Sequence, residues 1–424
     1  MHFLKVGILF SASTISRLLA GFIVVKLIAV TIGSDGLGQL GQFMSLMSMI
    51  TIIAGGGITN GIIKYVAEYK DNAEELNSHL GAASFVMFAA SIFIGVSLFV
   101  CADSISYALF QSFNYSGVIK VLSFSQLLIA ISNLLLGILN AYKSVRAFAI
   151  INTLSSILGP CGIALGCSKY GIEGAMYGLI WLPSCQIIFL ALWYKFSMKF
   201  NWSLLRPVWN IKRIQRFLKF SLMLIVTVLT MQMSQIIIRS FIGSHASWND
   251  VGYWQATTKI SDAYLQFITV VLGNYYLPRL AEANSRNKVL SEVAQAFKVA
   301  LPVLVAIIVI IFAFKKYIIL ILFSEKFFPV EKFLPFQLVG DVFKIFAYLI
   351  GYVAVAKANT KLYIAAEFFQ SSMLLAFSYW FIQQFGAVGA TYAYALVYVF
   401  YFATAAFVFK HYLSKNQEES LLKN

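Results

Sequence analysis

Eight ionisable side chains interrupt long apolar stretches of this sequence: Arg17, Lys26, Arg239, Lys259, Asp262, Asp341, Lys344 and Glu367. A charge within an apolar run is costly and normally faces a cavity or a partner, so chemistry is sought here first. Arg17 and Lys26 share the first run, and no Asp or Glu falls within the first six runs. Two cations without an acid in their own half call for a water-filled cavity, an anionic ligand or an acid from the other half. They stand nine residues apart, about 180° around an ideal helix. Both can reach one cavity only if that helix bends or Lys26 snorkels outward.

In the second half the charges come in pairs. Lys259 with Asp262, and Asp341 with Lys344, have the i,i+3 spacing that puts two side chains on one helix face. Each pair reads either as a self-neutralised structural ion pair or as a carboxylate that exchanges a proton or Na⁺. Glu367 has no obvious local partner. Arg239 reads either as a cavity cation or as an interface anchor. Arg17, Lys26, Lys259 and Lys344 all fall from mid-membrane outward, so an anion entering from the cytoplasm would be drawn towards them. A negative-inside potential adds about 2.3 kcal/mol per charge per 100 mV. Phosphate or pyrophosphate suits such an Arg/Lys set.

The elements that must hold these residues are membrane helices. The chain has 424 residues, 60% hydrophobic and 12% charged, with a mean hydropathy of +0.80. Soluble domains run about 45–50% apolar and about 25% charged, so too little polar residue remains for a cytosolic enzyme, a secreted disulfide scaffold or a disordered chain. The runs do not alternate as the strands of an outer-membrane barrel do. The expectation is an all-α, polytopic membrane protein with about 12 transmembrane helices in two parallel six-helix lobes. The spans fall at approximately 6–31, 38–62, 81–101, 118–140, 147–168, 174–195, 217–241, 252–276, 299–314, 334–356, 362–382 and 388–410. The first is too long for a signal-peptide core and no small-residue cleavage site follows it.

Charge sets the expected orientation. Of 32 Lys and Arg, 21 fall in segments on the side of the N-terminus, 5 on the other side and 6 within spans. That asymmetry puts both termini in the cytoplasm and accounts for most of the net charge of +15 without a nucleic-acid partner. The domain reading is residues 1–200 as an N-terminal lobe, 201–216 as an interfacial linker, 217–410 as a C-terminal lobe and 411–424 as a cytoplasmic tail. The largest cytoplasmic connection carries Trp202, Arg206, Trp209, Lys212, Arg213 and Arg216, which suits either an amphipathic stretch in the interface or a solvated linker.

Three matches suggest a duplicated six-helix unit. Gly171–Tyr177 resembles Gly386–Tyr392 at an offset of 215, Ile32-Gly33-Ser34 resembles Ile242-Gly243-Ser244 at 210, and Lys143 pairs with Lys357 at 214. Six spans is an even number, so both copies insert the same way round, a transporter arrangement that works by alternating access. Gly36-Leu37-Gly38-Gln39-Leu40-Gly41 fits G-x-G-x-x-G but lacks the preceding strand that a dinucleotide site needs. Its glycines read as turn and packing residues. Gly55-Gly56-Gly57 reads either as a hinge or as a close helix approach. Cys101, Cys161, Cys167 and Cys185 form no ligand cluster and read as small apolar packing. No motif implies a cofactor or a metal.

Four runs carry a resemblance: Gly61–Ala67, Ser247–Gly252, Ile260–Thr269 and Gln337–Lys344. In them, and almost end to end, the chain resembles the Wzx-type flippases of bacterial lipid-linked oligosaccharides. These are the O-antigen flippases and the lipid III flippases of enterobacterial common antigen, in the multidrug/oligosaccharidyl-lipid/polysaccharide exporter superfamily. The resemblance implies a two-lobed, twelve-helix fold in the bacterial inner membrane. It implies transfer of undecaprenyl-pyrophosphate-linked oligosaccharide from the cytoplasmic to the periplasmic leaflet, with the lipid bilayer, a polysaccharide polymerase and a chain-length regulator as partners. Relatives that flip lipid II look similar in keeping basic cavity residues on their first and eighth helices. Arg17 and Lys259 fit that pattern, although the family run often lacks a Lys at the second place. The tail Lys415–Glu419 and the Phe/Ile/Lys-rich composition lean towards an O-antigen cargo. Two rivals are a cation-coupled multidrug antiporter, expected to have an acidic or aromatic cavity, and a polysaccharide polymerase or ligase, expected to place Arg and His on a large periplasmic loop. Arg17 counts against the first. The lone His245 on a short loop counts against the second.

Overall fold

The computed structural model describes the backbone of residues 2–142, 144–198, 205–283, 285–356 and 360–421. Side chains are described for residues 16, 18–142, 144, 146–196, 205–218, 221–222, 224–270, 272–273, 275–283, 285–356 and 362–413. Fifteen α-helices occupy nearly all of this, and no strand occurs among the described residues. They are α1 (His2–Thr31), α2 (Ser34–Ala54), α3 (Thr59–Tyr69), α4 (Ala73–Val100), α5 (Ala102–Phe110), α6 (Ser116–Ala141), α7 (Val145–Trp193), α8 (Ile211–His245), α9 (Trp248–Val271), α10 (Leu277–Glu282), α11 (Arg286–Ala313), α12 (Lys315–Leu322), α13 (Leu334–Ala356), α14 (Thr360–Phe385) and α15 (Gly389–Leu421). A helix satisfies its backbone groups internally, which hydrocarbon requires. Polar caps mark several starts. Asn72, Ser247 and Ser285 accept from the backbone N–H three residues on, at 3.1, 3.1 and 3.3 Å.

Among the described residues eight helical stretches are long and apolar enough to cross a bilayer. Two of them, Arg146–Phe196 (51 residues) and Leu362–Leu413 (52 residues), are twice as long as one crossing needs, and each is broken near its middle. Leu18–Thr31 adds a shorter apolar stretch on α1. α9, which carries Lys259 and Asp262, lies outside that apolar set. The described helices are consistent with twelve spans.

Both mid-stretch breaks are built alike. Gly171 (φ +57°) and Gly386 (φ +63°) take the left-handed conformation that favours glycine. A Cβ on Gly174 would lie 1.9 Å from the Gly166 carbonyl oxygen, and one on Gly389 would lie 2.2 Å from that of Phe381. Eight residues of straight helix would hold those backbones about 12 Å apart, so the chain reverses at both places. The offset of 215 thus marks one turn built twice. The Gly33/Gly243 match does not extend to the backbone: Gly33 (φ +98°) ends α1, whereas Gly243 lies inside α8. Lys143 and Lys357 lie outside the described residues.

The chain divides into two compact units. Unit 1 comprises Met1–Ile32 and Gln39–Ile236, and unit 2 comprises Gly33–Gly38 and Ile237–Asn424. In this division the chain passes from unit 1 to unit 2 inside α8. The described part of the connecting segment is held on unit 1. Val208 N–H donates to the Gly81 carbonyl at 3.0 Å, and Arg213 donates to Glu75 at 2.8 Å. Phe217 packs on Tyr65 and reaches within 2.7 Å of a Cβ position on Gly61. Trp209 remains 68% exposed beside the exposed Val208 and Ile211, as an interfacial stretch requires. Trp202 lies outside the described residues.

The core of unit 1 gathers Ile62, Leu80, Leu135, Ile138, Leu190 and Phe217 from α3, α4, α6, α7 and α8, with Tyr194 just after α7. That of unit 2 gathers Ile238, Ile242, Trp254, Phe333, Ile382 and Val397. Outward faces keep Phe93, Val100, Ile321 and Phe407 exposed, a surface matched to lipid. In unit 1 the three glycines end α2. Gly56 (φ +69°) and Gly57 (φ +62°) turn the chain, and a Cβ on Gly57 would come within 3.1 Å of the Ser221 backbone. The same residues therefore supply both a helix break and a close approach. In unit 2, Gly38 does the packing expected of the G-x-G-x-x-G run, its Cβ position lying 3.0 Å from backbone atoms of Trp248 and Gly252.

Candidate functional site

Four helices of unit 2 each turn a polar stripe inward. On α13, Asp341, Lys344 and Tyr348 follow at i, i+3 and i+7. On α15, Tyr394, Tyr398 and Tyr401 follow at i, i+4 and i+7, as do Tyr363, Glu367 and Gln370 on α14. α9 supplies Tyr264. These intervals bring side chains onto one helix face.

Asp341 is 0% exposed. Burying a carboxylate costs several kcal/mol unless its lone pairs are used. Here the Tyr394 hydroxyl donates to one oxygen at 2.7 Å, and the Tyr264 hydroxyl donates to the other. Gly340 allows this arrangement. A Cβ there would lie 2.3 Å from the Tyr394 ring, so a larger residue would push Tyr394 off α13.

Lys344 lies three residues further on, yet it forms no ion pair with Asp341 among the described residues. Its ammonium sits over three tyrosine rings, 5.3 Å from the centroid of Tyr398, 5.6 Å from Tyr394 and 5.9 Å from Tyr348. Each ring face attracts the cation by about 0.5–2 kcal/mol, more where water is excluded. Tyr394 therefore serves both charges, its hydroxyl on Asp341 and its face on Lys344. Tyr398 is fixed in turn by Gln370, whose amide donates to the phenol oxygen at 2.7 Å. Glu367, half-buried on α14, hydrogen-bonds Tyr363 and lies within electrostatic reach of Lys344.

The other expected residues fall as follows. Arg239 is 4% exposed, so it is an interior residue of unit 2 and not an interface anchor. Its Nε and Nη2 donate to Gln255 Oε1 at 3.0 and 2.8 Å, and its guanidinium lies 5.4 Å from the Trp254 ring centroid. Lys259 is half-buried and Asp262 exposed on α9, and their i,i+3 spacing does not close into an ion pair. Asp262 is nevertheless within electrostatic reach of Arg239, Lys259 and Lys344. In unit 1, Lys26 is half-buried on α1. The side chain of Arg17 lies outside the described residues.

The tyrosines were missed in the sequence, although a signal existed. Tyr is an interface residue in most membrane helices. Three at helical spacing well inside an apolar stretch, Tyr394, Tyr398 and Tyr401, mark a polar interior instead.

An all-helical membrane fold with a charged interior in one unit suits transporters and membrane enzymes alike, and likeness to known proteins decides for a transporter. The fold matches the inward-facing conformation of a multidrug resistance MATE family transporter of the MOP superfamily, with a TM-score of 0.74 over 94% of this chain and 96% of that one, at 16% identity. Residues 27–332 match the family described as polysaccharide biosynthesis protein. The sequence is 34% identical to the lipid III flippase of Escherichia coli (strain K12) over 409 residues, 96% of this chain and 98% of that protein, and equally to the lipid III flippase of Shigella flexneri. The chain belongs to the polysaccharide biosynthesis protein family, as the residue runs led us to expect.

Proposed function

We propose that the chain is a flippase that moves an undecaprenyl-pyrophosphate-linked oligosaccharide from the cytoplasmic to the periplasmic leaflet of the bacterial inner membrane by alternating access, driven by an ion gradient or by the membrane potential. The observation that carries this reading is 34% identity to lipid III flippases over 96% of the chain. Likeness of that extent leaves little room for a change of cargo class, and it favours lipid III over the O-antigen unit to which the tail inclined. Both termini face the cytoplasm in this reading, as the Lys/Arg asymmetry requires. A polymerase and a chain-length regulator receive the product.

Arg17 is the residue assigned to the pyrophosphate, with Lys26 and Lys259 as further cavity cations. A planar guanidinium matches two phosphate oxygens at once, which a lysine does not. Asp341, Asp262 and Glu367 are the carboxylates assigned to coupling. The test is a deletion strain complemented with wild type or Arg17→Ala, with the leaflet of the lipid-linked oligosaccharide assayed. Wild type should clear the cytoplasmic leaflet, Arg17→Ala should not despite normal membrane levels, and Arg17→Lys should restore part of the activity. Normal clearance by Arg17→Ala would overturn the anion-binding assignment.

One observation favours a second reading. A tyrosine- and carboxylate-rich interior is what a cation-coupled drug antiporter was expected to have. Lys344 amid those tyrosines speaks against a cationic cargo. Drug sensitivity in the deletion strain, without oligosaccharide in the cytoplasmic leaflet, would establish the antiporter instead.

A further inference from the structure

We propose that the tyrosine cage of unit 2 is a cation site whose ligand the chain itself supplies: the Lys344 ammonium is its resident cation, balancing Asp341 and Glu367 in place of a dissociable metal ion. This rests on the flippase reading only for its consequence, that coupling would run on protons or on the potential and not on a bound metal.

The geometry argues this from both sides of the cage. The ammonium is 5.3, 5.6 and 5.9 Å from three ring centroids, contributed by its own helix (Tyr348) and by two turns of α15 (Tyr394, Tyr398). Several ring faces around one charge is how alkylammonium groups are recognised. A hard metal ion needs oxygen lone pairs instead. Three of the nearby hydroxyls are already engaged: those of Tyr264 and Tyr394 donate to Asp341, and that of Tyr398 accepts from Gln370. Tyr394 joins the halves of the device, with a carboxylate on its hydroxyl and the lysine on its face. Lys344 thus neutralises the site without touching the acid it neutralises, and it cannot diffuse away.

The test uses the purified full chain in detergent, with thermal unfolding followed in NaCl, KCl or n-propylammonium chloride at equal ionic strength. n-Propylammonium has the side-chain atoms that Lys344→Ala removes. Wild type should melt at one temperature in all three salts. Lys344→Ala should melt lower by about 3–6 °C. n-Propylammonium should restore at least half of that loss, and Na⁺ and K⁺ should restore none. Lys344→Met, which keeps length without charge, should also melt lower and should not respond.

Stabilisation of wild type or of Lys344→Ala by Na⁺ would overturn the proposal, because the site would then hold a dissociable metal ion. Equally fatal would be no response of Lys344→Ala to n-propylammonium, including failure to extract it intact with that salt present, or a Lys344→Met as stable as wild type. Unfolding is blind to cargo movement, so the leaflet assay and this one fail independently.

Discussion

The two units solve the same problem, polar groups inside a membrane protein, in opposite ways. Among the described residues of unit 1 the buried polar side chains are Ser, Gln and His79, and several serve the backbone. Gln42 donates to the carbonyls of Leu109 and Ile236 at 3.4 and 3.3 Å, Gln126 to that of Ser91 at 2.7 Å, and Ser91 to that of Ala54 at 2.8 Å, where α2 ends. Its strong ion pair, Arg213 with Glu75, ties the connecting segment to the start of α4. His79 beside it stacks on Tyr69 with ring centroids 4.7 Å apart. In unit 2 the buried polar side chains include two charged ones, Arg239 and Asp341, held by an amide and by phenols among neutral groups such as Gln255, Thr257 and Gln370. A neutral network stabilises a rigid body, whereas a charged one set in an apolar interior is costly and is kept where it does chemistry. From this comparison we propose unit 2 as the place where coupling charge is handled, with the α1 cations of unit 1 on the cargo.

The sharpest way to break this contrast is at Gly340. Gly340→Val drives a side chain into Tyr394 and should cost about 1–3 kcal/mol, a fall of about 1–3 °C in melting temperature for a chain of this length. Gly351→Ala on the same helix meets nothing within 4 Å and should leave the melting temperature unchanged or slightly raised. Equal losses at both positions would mean that helix propensity, and not the tyrosine contact, governs α13.

Next in size is Asp341→Asn, which removes charge-assisted bonds and should cost about 1–3 kcal/mol. A double-mutant cycle with Tyr394→Phe should give a coupling of at least about 0.5 kcal/mol, whereas the cycle with Tyr348→Phe should be additive within that margin. Additivity in both would separate Asp341 from the cage. The smallest effect is expected in unit 1. Glu75 and Arg213 are 39% and 19% exposed, so Glu75→Gln should cost only about 0.2–1 kcal/mol after solvent screening.

Long-range features of the fold were legible because the bilayer imposes them. Most of the apolar runs and the break glycines Gly171 and Gly386 at an offset of 215 recur in the structure, and the family runs agree with the relatives found. The docking of Val208, Arg213 and Phe217 on unit 1 was not legible, since it depends on contacts with Gly81, Glu75 and Tyr65 far away in sequence. The intramembrane charges were found by rarity alone. Their partners were not, because i,i+3 spacing on one helix suggested that Asp341 and Lys344 neutralise each other. The partners they take instead come largely from α9 and α15, at sequence distances that no local pattern encodes.

The most direct measurement is the leaflet distribution of lipid-linked oligosaccharide in a deletion strain complemented with Asp341→Asn or Glu75→Gln at matched membrane levels. Cargo held in the cytoplasmic leaflet by Asp341→Asn, and cleared by Glu75→Gln as by wild type, is the predicted result. Normal clearance by Asp341→Asn, or its failure only in Glu75→Gln, would contradict the assignment of charge handling to unit 2.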